Sequence, residues 1–162
     1  MTGSDTLVRV AQAAVGKQGD TLATMGLGSC VAVLLHDPVA EIGGMLHVLL
    51  PENPSRRAVD NPAKYATTGL PELVERMHAA GADPARLTAR LVGGASMFPT
   101  LMVPGTQNVG EKNVIAVRRV LSRLEIPIAD EDVGGDYGRT VRFDAGGGGA
   151  VVSTVGRGER VL

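Results

Sequence analysis

The sequence contains little of what several classes of protein need. Its 162 residues include one cysteine, no tryptophan, two tyrosines and two phenylalanines. A single cysteine excludes an intrachain disulfide and a thiolate zinc cluster, and the scarcity of aromatic side chains argues against a surface that stacks nucleic-acid bases. Lys and Arg number 16 and Asp and Glu 17, so the net charge is −1 and there is no cationic excess to bind phosphates. Nucleic acid is therefore not an expected partner.

Long apolar runs are also missing. The longest, from Ile42 to Leu50, is interrupted by His47 and is far shorter than the roughly 20 residues of a membrane span. The N-terminal residues lack a basic segment followed by an apolar one, so we expect no signal peptide and no membrane insertion. Together with the lone cysteine, this pattern favours the reducing cytoplasm.

Composition and periodicity indicate a folded globular protein. Hydrophobic residues make up 44% of the chain and charged residues 20%, and the length predicts a single domain over residues 1–162. Residues 31–35 and 42–50 are predicted to form an antiparallel hairpin around a turn at 36–41. The other predicted elements are strands at 7–14, 20–25, 87–92, 126–133, 140–143 and 151–155, helices at 65–80 and 111–124, and a loop at 97–110. Pro71 leaves open whether the first helix begins near residue 65 or at the proline.

Cys30 follows the sequence Gly26-Leu27-Gly28-Ser29, where a loop is predicted to enter a strand at the edge of a sheet. A lone cysteine most often behaves as a small buried hydrophobe. The two glycines leave the backbone bare beside the thiol, and amides of such a backbone can stabilise an oxyanion, as acyl transfer requires. Cys30 is therefore a candidate nucleophile, with a buried structural role as the alternative.

His47 lies within an apolar strand, where a polar ring needs a partner. If Leu35 pairs with Ile42 across the hairpin, Cys30 lies directly opposite His47, with Cβ atoms about 4.5–5.5 Å apart on one face. A thiol and an imidazole at that separation can form a thiolate–imidazolium pair. A slip of one residue in register would place the two side chains on opposite faces.

A third group is expected to orient the imidazole. Spacing alone does not choose among the local candidates, which are Thr21, Thr24, Ser29 and Asp37. The other two histidines are predicted to face solvent, His36 from the hairpin turn and His78 from the first helix.

Phe98 follows Gly93-Gly94 and precedes Pro99, just after a predicted strand. In one interpretation, Met97 and Phe98 cover the core. In the other, Phe98 lies on an exposed apolar patch beside the site, where a rigid aromatic side chain would anchor a partner protein.

Short sequence blocks occur in a consistent order along most of the chain. They are Leu27-Gly28-Ser29-Cys30-Val31, Asp37-Pro38, Gly43-Gly44-Met45-Leu46-His47, Leu50-Pro51, Lys64-Tyr65, Gly93-Gly94-Ala95-Ser96-Met97-Phe98, Gly110-Glu111-Lys112-Asn113, Asp132-Val133-Gly134-Gly135 and Gly138-Arg139. Over roughly residues 5–155 this order resembles the chemoreceptor glutamine deamidase CheD family. The cysteine and histidine blocks are specific, whereas the glycine pairs alone would not be.

The resemblance implies a fold, an activity and a set of site residues. The fold would be of the α/β (α+β) class: a layered sandwich of mixed, largely antiparallel β-sheet with flanking helices, related to the deamidating domain of cytotoxic necrotising factor toxins. The activity would be hydrolysis of selected receptor glutamines to glutamate and ammonia. Cys30 matches the family's nucleophile, His47 its catalytic histidine and Thr24 its threonine.

The resemblance also implies partners. These would be the cytoplasmic region of chemoreceptors and CheC, a phosphatase acting on the phosphorylated response regulator; no cofactor is expected, and the chain is expected to act as a monomer. One alternative is a non-catalytic adaptor that binds receptors or CheC. Another is a cysteine peptidase or transglutaminase-like enzyme, which would use the same nucleophile chemistry.

Overall fold

A computed structural model describes residues 3–55, 57, 59–98 and 108–162. Within these ranges the chain forms ten strands, two α-helices and two short 3₁₀ helices, Pro62–Lys64 and Pro84–Arg86. The strands are β1 (Asp5–Leu7), β2 (Ala13–Lys17), β3 (Thr21–Leu27), β4 (Val31–Asp37), β5 (Ile42–Val48), β6 (Thr88–Gly93), β7 (Ile128–Val133), β8 (Arg139–Asp144), β9 (Ala150–Thr154) and β10 (Gly158–Val161). The helices are α1 (Ala66–Ala79) and α2 (Val109–Arg123). No helix in this described part of the chain is long and apolar enough to cross a membrane.

The described strands form two five-stranded sheets. The first sheet has the order β1-β3-β8-β9-β10, and the second has the order β2-β5-β4-β6-β7. Neighbouring strands are antiparallel except for β1 with β3 and β6 with β7, which are parallel. With the two helices packed on one side, this arrangement confirms the predicted α+β sandwich.

The second sheet is the middle of three layers. On one face, Val33 and Leu46 pack with residues of both helices, among them Leu73 and Val117. On the other face, Leu34 and Met45 pack against Leu22, Val141 and Phe143 of the first sheet. Every residue of β4 and β5 is buried. Two covered faces explain why these two strands are apolar along almost their whole length rather than at alternate positions.

One predicted strand differs from the structure, one strand was not predicted, and the structure gives the start of the first helix. The predicted strand 7–14 is two strands, because the chain turns at Ala11, where φ is +58°. The first helix begins at Ala66 and keeps Pro71 in its second turn. Strand β10 was not predicted, since it is exposed at every position and has no apolar alternation. Residues 99–107 of the predicted loop 97–110 lie outside the described part of the chain.

The β4–β5 hairpin is confirmed, but its predicted register is wrong by two residues. Asp37 pairs with Ile42, so the paired numbers sum to 79 rather than 77. The reason is the carboxylate of Asp37, whose Oδ1 accepts hydrogen bonds from the backbone amides of Val39 (2.9 Å) and Ala40 (3.2 Å). These bonds close the turn from the last residue of the strand, and β4 therefore runs two residues further than predicted.

His36 consequently belongs to β4 and not to the turn. Its ring is buried, and Nε2 donates a hydrogen bond to the carbonyl of Gly146 at 2.7 Å. The prediction that His36 faces solvent is wrong, whereas His78 on α1 is exposed as predicted.

Candidate active site

Cys30 ends the short loop after β3 and directly precedes β4. Because β4 is the central strand of the second sheet, the thiol lies at a strand end within the sheet and not at the sheet's edge, as the sequence suggested. The side chain is half-buried and packs against the apolar cluster between the two sheets. This burial raises the pKa of the Cys30 thiol above its ordinary value.

His47 lies on β5, on the same face as Cys30. It pairs with Ala32, so Cys30 is not directly opposite His47 as predicted but two residues away along the neighbouring strand. Because the register differs by two residues and not by one, the face is preserved. The two side chains are diagonal neighbours, a spacing that aromatic and long side chains can span.

Thr24 contacts His47 from the opposite sheet. Its Oγ1 lies 2.8 Å from His47 Nδ1, and both residues are about 1% exposed. Among the four candidates for the orienting group, Thr24 is the one whose side chain is hydrogen-bonded to the ring. Asp37 is instead engaged by the guanidinium of Arg86, which holds the pKa of that carboxyl well below its usual range.

A bulge in β3 explains how the chain passes from Thr24 to the cysteine loop. Thr24 pairs with Val141 and Leu27 with Arg139, so β3 has one more residue than β8 over this stretch. Gly26, within the bulge, has φ of +67°, a conformation that glycine adopts without strain. The bulge bends β3 next to the site, which is a common position for such irregularities.

The surroundings of the His47 ring favour its neutral form. Burial lowers the pKa of His47, and this effect outweighs the opposite influence of the Val8 backbone. Nε2 is buried and has no hydrogen-bond partner among the described residues. The raised pKa of the Cys30 thiol and the lowered pKa of the His47 imidazole both favour the uncharged forms of these two groups.

The chain at Gly93 and Gly94 is hydrogen-bonded to the loop that carries Cys30. The Gly94 amide donates to the Cys30 carbonyl at 2.8 Å, and the Ala95 amide donates to the Gly28 carbonyl at 2.9 Å. Both glycines have positive φ, +114° and +66°. A Cβ atom at Gly93 would collide with the carbonyl oxygen of Cys30. The glycine pair, a weak signal in sequence, is therefore required by the close approach of two backbones.

Arg139 is a buried cation that sequence reasoning did not single out. Its Nε donates to Asp132 Oδ1 at 3.1 Å, and its Nη1 donates to the carbonyls of Gly134 at 2.8 Å and Gly93 at 3.4 Å. The guanidinium also lies 4.5 Å from the ring centroid of Tyr137. Arg139 thereby ties β8 of the first sheet to the ends of β6 and β7, next to the cysteine loop. In the sequence, Arg139 stood out only as part of the Gly138-Arg139 block.

Phe98 is 70% exposed, which contradicts the interpretation that it covers the core. Met97 is also exposed, and its side chain lies close to Gly28, since a Cβ atom at that glycine would be 3.1 Å from Met97 Cγ. Met25, in the β3 bulge, is exposed as well. Met97 and Phe98 are called the apolar rim below.

The arrangement is that of a protein able to use a cysteine nucleophile. Such sites are built from three parts: a thiol, an imidazole on the same face and a group that orients the imidazole, here a buried hydroxyl. Comparison with known proteins identifies the family. A family model described as CheD chemotactic sensory transduction matches residues 49–154. The chain belongs to the CheD family.

Two relatives cover nearly the whole chain. A protein of Caldanaerobacter subterraneus subsp. tengcongensis, named probable chemoreceptor glutamine deamidase CheD, is 43% identical over 155 residues, which is 96% of each chain. A protein of the same name from Desulforamulus reducens is 41% identical over 155 residues, 96% of this chain and 93% of its own.

Solved structures resemble the fold at low sequence identity. A crystal structure of a Neisseria meningitidis protein of the family DUF152 matches with a TM-score of 0.54 and 13% identity, covering 83% of this chain and 65% of that one. The C-terminal domain of CNFy from Yersinia pseudotuberculosis matches with a TM-score of 0.41 and 10% identity, over 98% of this chain and 55% of that one.

Proposed function

We propose that this protein hydrolyses glutamine side chains of chemoreceptors to glutamate and ammonia. Membership of the CheD family and the names of its relatives support the reaction class. The structural observation that carries the proposal is the buried hydrogen bond between Thr24 and His47 beside the half-buried Cys30. It orients an imidazole whose Nε2 has no other partner among the described residues.

In the proposed mechanism the first half-reaction transfers the acyl group to sulfur. His47 Nε2 takes the thiol proton while Cys30 Sγ attacks the carbon of the side-chain amide. Backbone amides of the glycine-bearing loop before Cys30 stabilise the oxyanion. His47 then gives its proton to the amide nitrogen, the C–N bond breaks, and ammonia leaves behind a thioester.

The second half-reaction restores the thiol. A water molecule, losing a proton to His47 Nε2, attacks the thioester carbon and the C–S bond breaks. The sulfur recovers its proton from His47, and the substrate leaves as glutamic acid, which ionises at neutral pH. One water is consumed and one ammonia released per glutamine.

Thr24 selects the imidazole tautomer that this mechanism requires. If Thr24 Oγ1 accepts a hydrogen bond from Nδ1–H, the lone pair on Nε2 is free to act as the base. A buried hydroxyl can fill this role without a formal charge, and a neutral base agrees with the lowered pKa of His47.

The apolar rim is the proposed docking site for receptors and for CheC. Met97 and Phe98 are exposed, and Met97 lies next to the loop that carries Cys30. A rigid aromatic side chain is a favoured anchor in interfaces. We also propose that residues 1–162 act as one cytoplasmic domain and as a monomer.

The decisive experiment is mass spectrometry of a receptor fragment incubated with the protein. Glutamine hydrolysis raises the mass by about one dalton per site and releases ammonia without cleaving or crosslinking the chain. A peptidase or a transglutaminase would give cleaved or crosslinked products. An exposed rim is equally suited to a non-catalytic adaptor, and an unchanged receptor mass together with tight binding would establish that alternative.

Thr24→Ala is expected to lower kcat by about 10-fold or more with KM nearly unchanged, because the substitution frees the imidazole and leaves the substrate surface intact. Steady-state deamidation of a receptor fragment measures both constants. Thr21→Ala is the matched control, since Thr21 lies on the same strand and makes no hydrogen bond to the ring. Equal losses in both variants would mean that Thr24 does not orient His47.

Phe98→Glu is expected to keep the thermal stability of the protein and weaken receptor or CheC binding by about 2 kcal/mol, the size of a hot-spot loss. Isothermal titration calorimetry measures the affinity. The control is Val39→Glu, because Val39 is also 70% exposed but lies in the β4–β5 turn. A stable Phe98→Glu variant that binds every partner normally would remove Phe98 from the docking site.

A further inference from the structure

Asn113 connects the loop that ends at Cys30 with the segment that follows the His47 strand. It lies on α2 with its side chain fully buried, and its Nδ2 donates to the carbonyl of Ser29 at 2.9 Å and to that of Leu49 at 3.1 Å. Both acceptors are carbonyl oxygens, so only the amide nitrogen can make these bonds. The orientation of the side-chain amide is thus set by chemistry.

The two carbonyls lie where the strand pairing stops. The last pair of the β4–β5 ladder is Val31 with Val48. Beyond it, β5 leaves its partner, and the Leu49 amide donates to the carbonyl of Lys64 instead. Ser29 directly precedes the cysteine and Leu49 follows the histidine by two residues. Beyond the last β4–β5 pair, the Asn113 side chain therefore links the two chain segments in place of direct backbone hydrogen bonds between them. This end of the hairpin is the one next to Cys30 and His47.

We propose that Asn113 is a positioning residue that fixes the separation between the Cys30 thiol and the His47 imidazole. The proposal rests on the proposed function, since that separation matters only if the two groups react together. Misplacement of reacting groups by about 1 Å can cost on the order of 100-fold in rate. A helix packed on the second sheet through Val114 and Val117 is a rigid support for such a clamp.

Packing alone does not account for an asparagine at this position. Its Oδ1 is buried and has no hydrogen-bond partner among the described residues, and a buried unsatisfied acceptor costs stability. An apolar side chain would remove this acceptor, but it would also take the donor away from the carbonyls of Ser29 and Leu49 and leave the two strand ends unbridged. The asparagine is thus explained by the two strand ends that it bridges.

The first test compares Asn113→Ala with Asn108→Ala. Asn108 caps the same helix, and among the described residues its side chain is hydrogen-bonded to Glu111, so its loss weakens α2 and leaves the bonds of Asn113 in place. We expect Asn113→Ala to lower kcat by roughly 30-fold or more with KM within about 3-fold. Asn108→Ala should lower the melting temperature but keep kcat within about 2-fold. A normal kcat in folded Asn113→Ala would overturn the proposal.

The second test uses alkylation of Cys30 by iodoacetamide, which needs no receptor. In the intact protein, His47→Ala should slow alkylation because it removes the base. In the Asn113→Ala background, the same substitution should have little further effect, because the clamp that brings the base to the thiol is already lost. Independent, multiplicative effects of the two substitutions would contradict a positioning role.

The two assays separate the inference from the proposed function. Coupled effects on alkylation with no deamidation in any variant would refute the function and support the clamp. If Asn113→Ala deamidates the receptor at the normal rate, the proposed function is supported and the clamp is refuted. If Asn113→Ala shows no cooperative thermal unfolding and is therefore not folded, both assays are repeated with Asn113→Gln. Glutamine keeps the amide donor but moves it by one methylene. A wild-type kcat and alkylation rate in that variant would overturn the clamp.

Discussion

Replacing Cys30 with alanine is expected to abolish deamidation while the melting temperature changes little. The thiol is half-buried at a strand end, and alanine removes one atom from the edge of the inter-sheet cluster. No other described side chain in the site can form the thioester. Ammonia release and receptor mass measure activity, and circular dichroism measures stability. Residual turnover above the uncatalysed rate would show that the nucleophile lies elsewhere.

Alkylation provides the control for this result. Burial raises the pKa of the Cys30 thiol. Without a base, Cys30 should therefore be alkylated only at a higher pH than an ordinary exposed cysteine. With His47 present as a neutral base, Cys30 should react near neutral pH, and His47→Ala should move that reactivity to higher pH. A thiol that stays unreactive until the protein is denatured would instead mean a structural cysteine.

Arg139→Met is expected to destabilise the protein by about 3–5 kcal/mol, the cost of breaking a buried ion pair. The substitution keeps much of the side-chain length, so the loss comes from the carboxylate of Asp132 and the carbonyls of Gly93 and Gly134, which lose their donor. Urea denaturation measures the free energy of unfolding.

Arg142→Met is the matched control for Arg139→Met. Arg142 lies on the same strand but is exposed, so its replacement should change the free energy of unfolding by no more than about 0.5 kcal/mol. Equal small effects for both variants would mean that the buried guanidinium does not hold the two sheets together.

Much of the architecture could be predicted from the sequence, because apolar periodicity reports burial directly. The hairpin of β4 and β5, both helices and most strands follow from it. What periodicity does not encode is the length of a turn. The two-residue error in register arose because Asp37 uses its carboxylate to close the turn from within the strand, which a reading of 36–41 as a turn does not anticipate.

The candidate site was predictable to the extent that it depends on neighbouring strands. The shared face of Cys30 and His47 needs only the parity of the pairing, which survives a two-residue error. Thr24 could not be selected from spacing, because its bond to the ring crosses between sheets. Asn113 was missed because its two partners are far away in the sequence. Arg139 was missed because a buried polar residue has no local pattern, even with its Asp132 partner nearby in the sequence.

The bond between Thr24 and His47 joins two layers that are otherwise held together mainly by apolar packing. Its two ends belong to different sheets, so the imidazole is aligned only while the sheets keep their lateral alignment. If the first sheet slipped or partly separated from the second, the Thr24–His47 hydrogen bond would break and the proposed reaction would stop. The second sheet, with Cys30 and His47, and both helices would stay folded. In the proposed mechanism, catalysis therefore depends on the alignment of the two sheets where Thr24 meets His47.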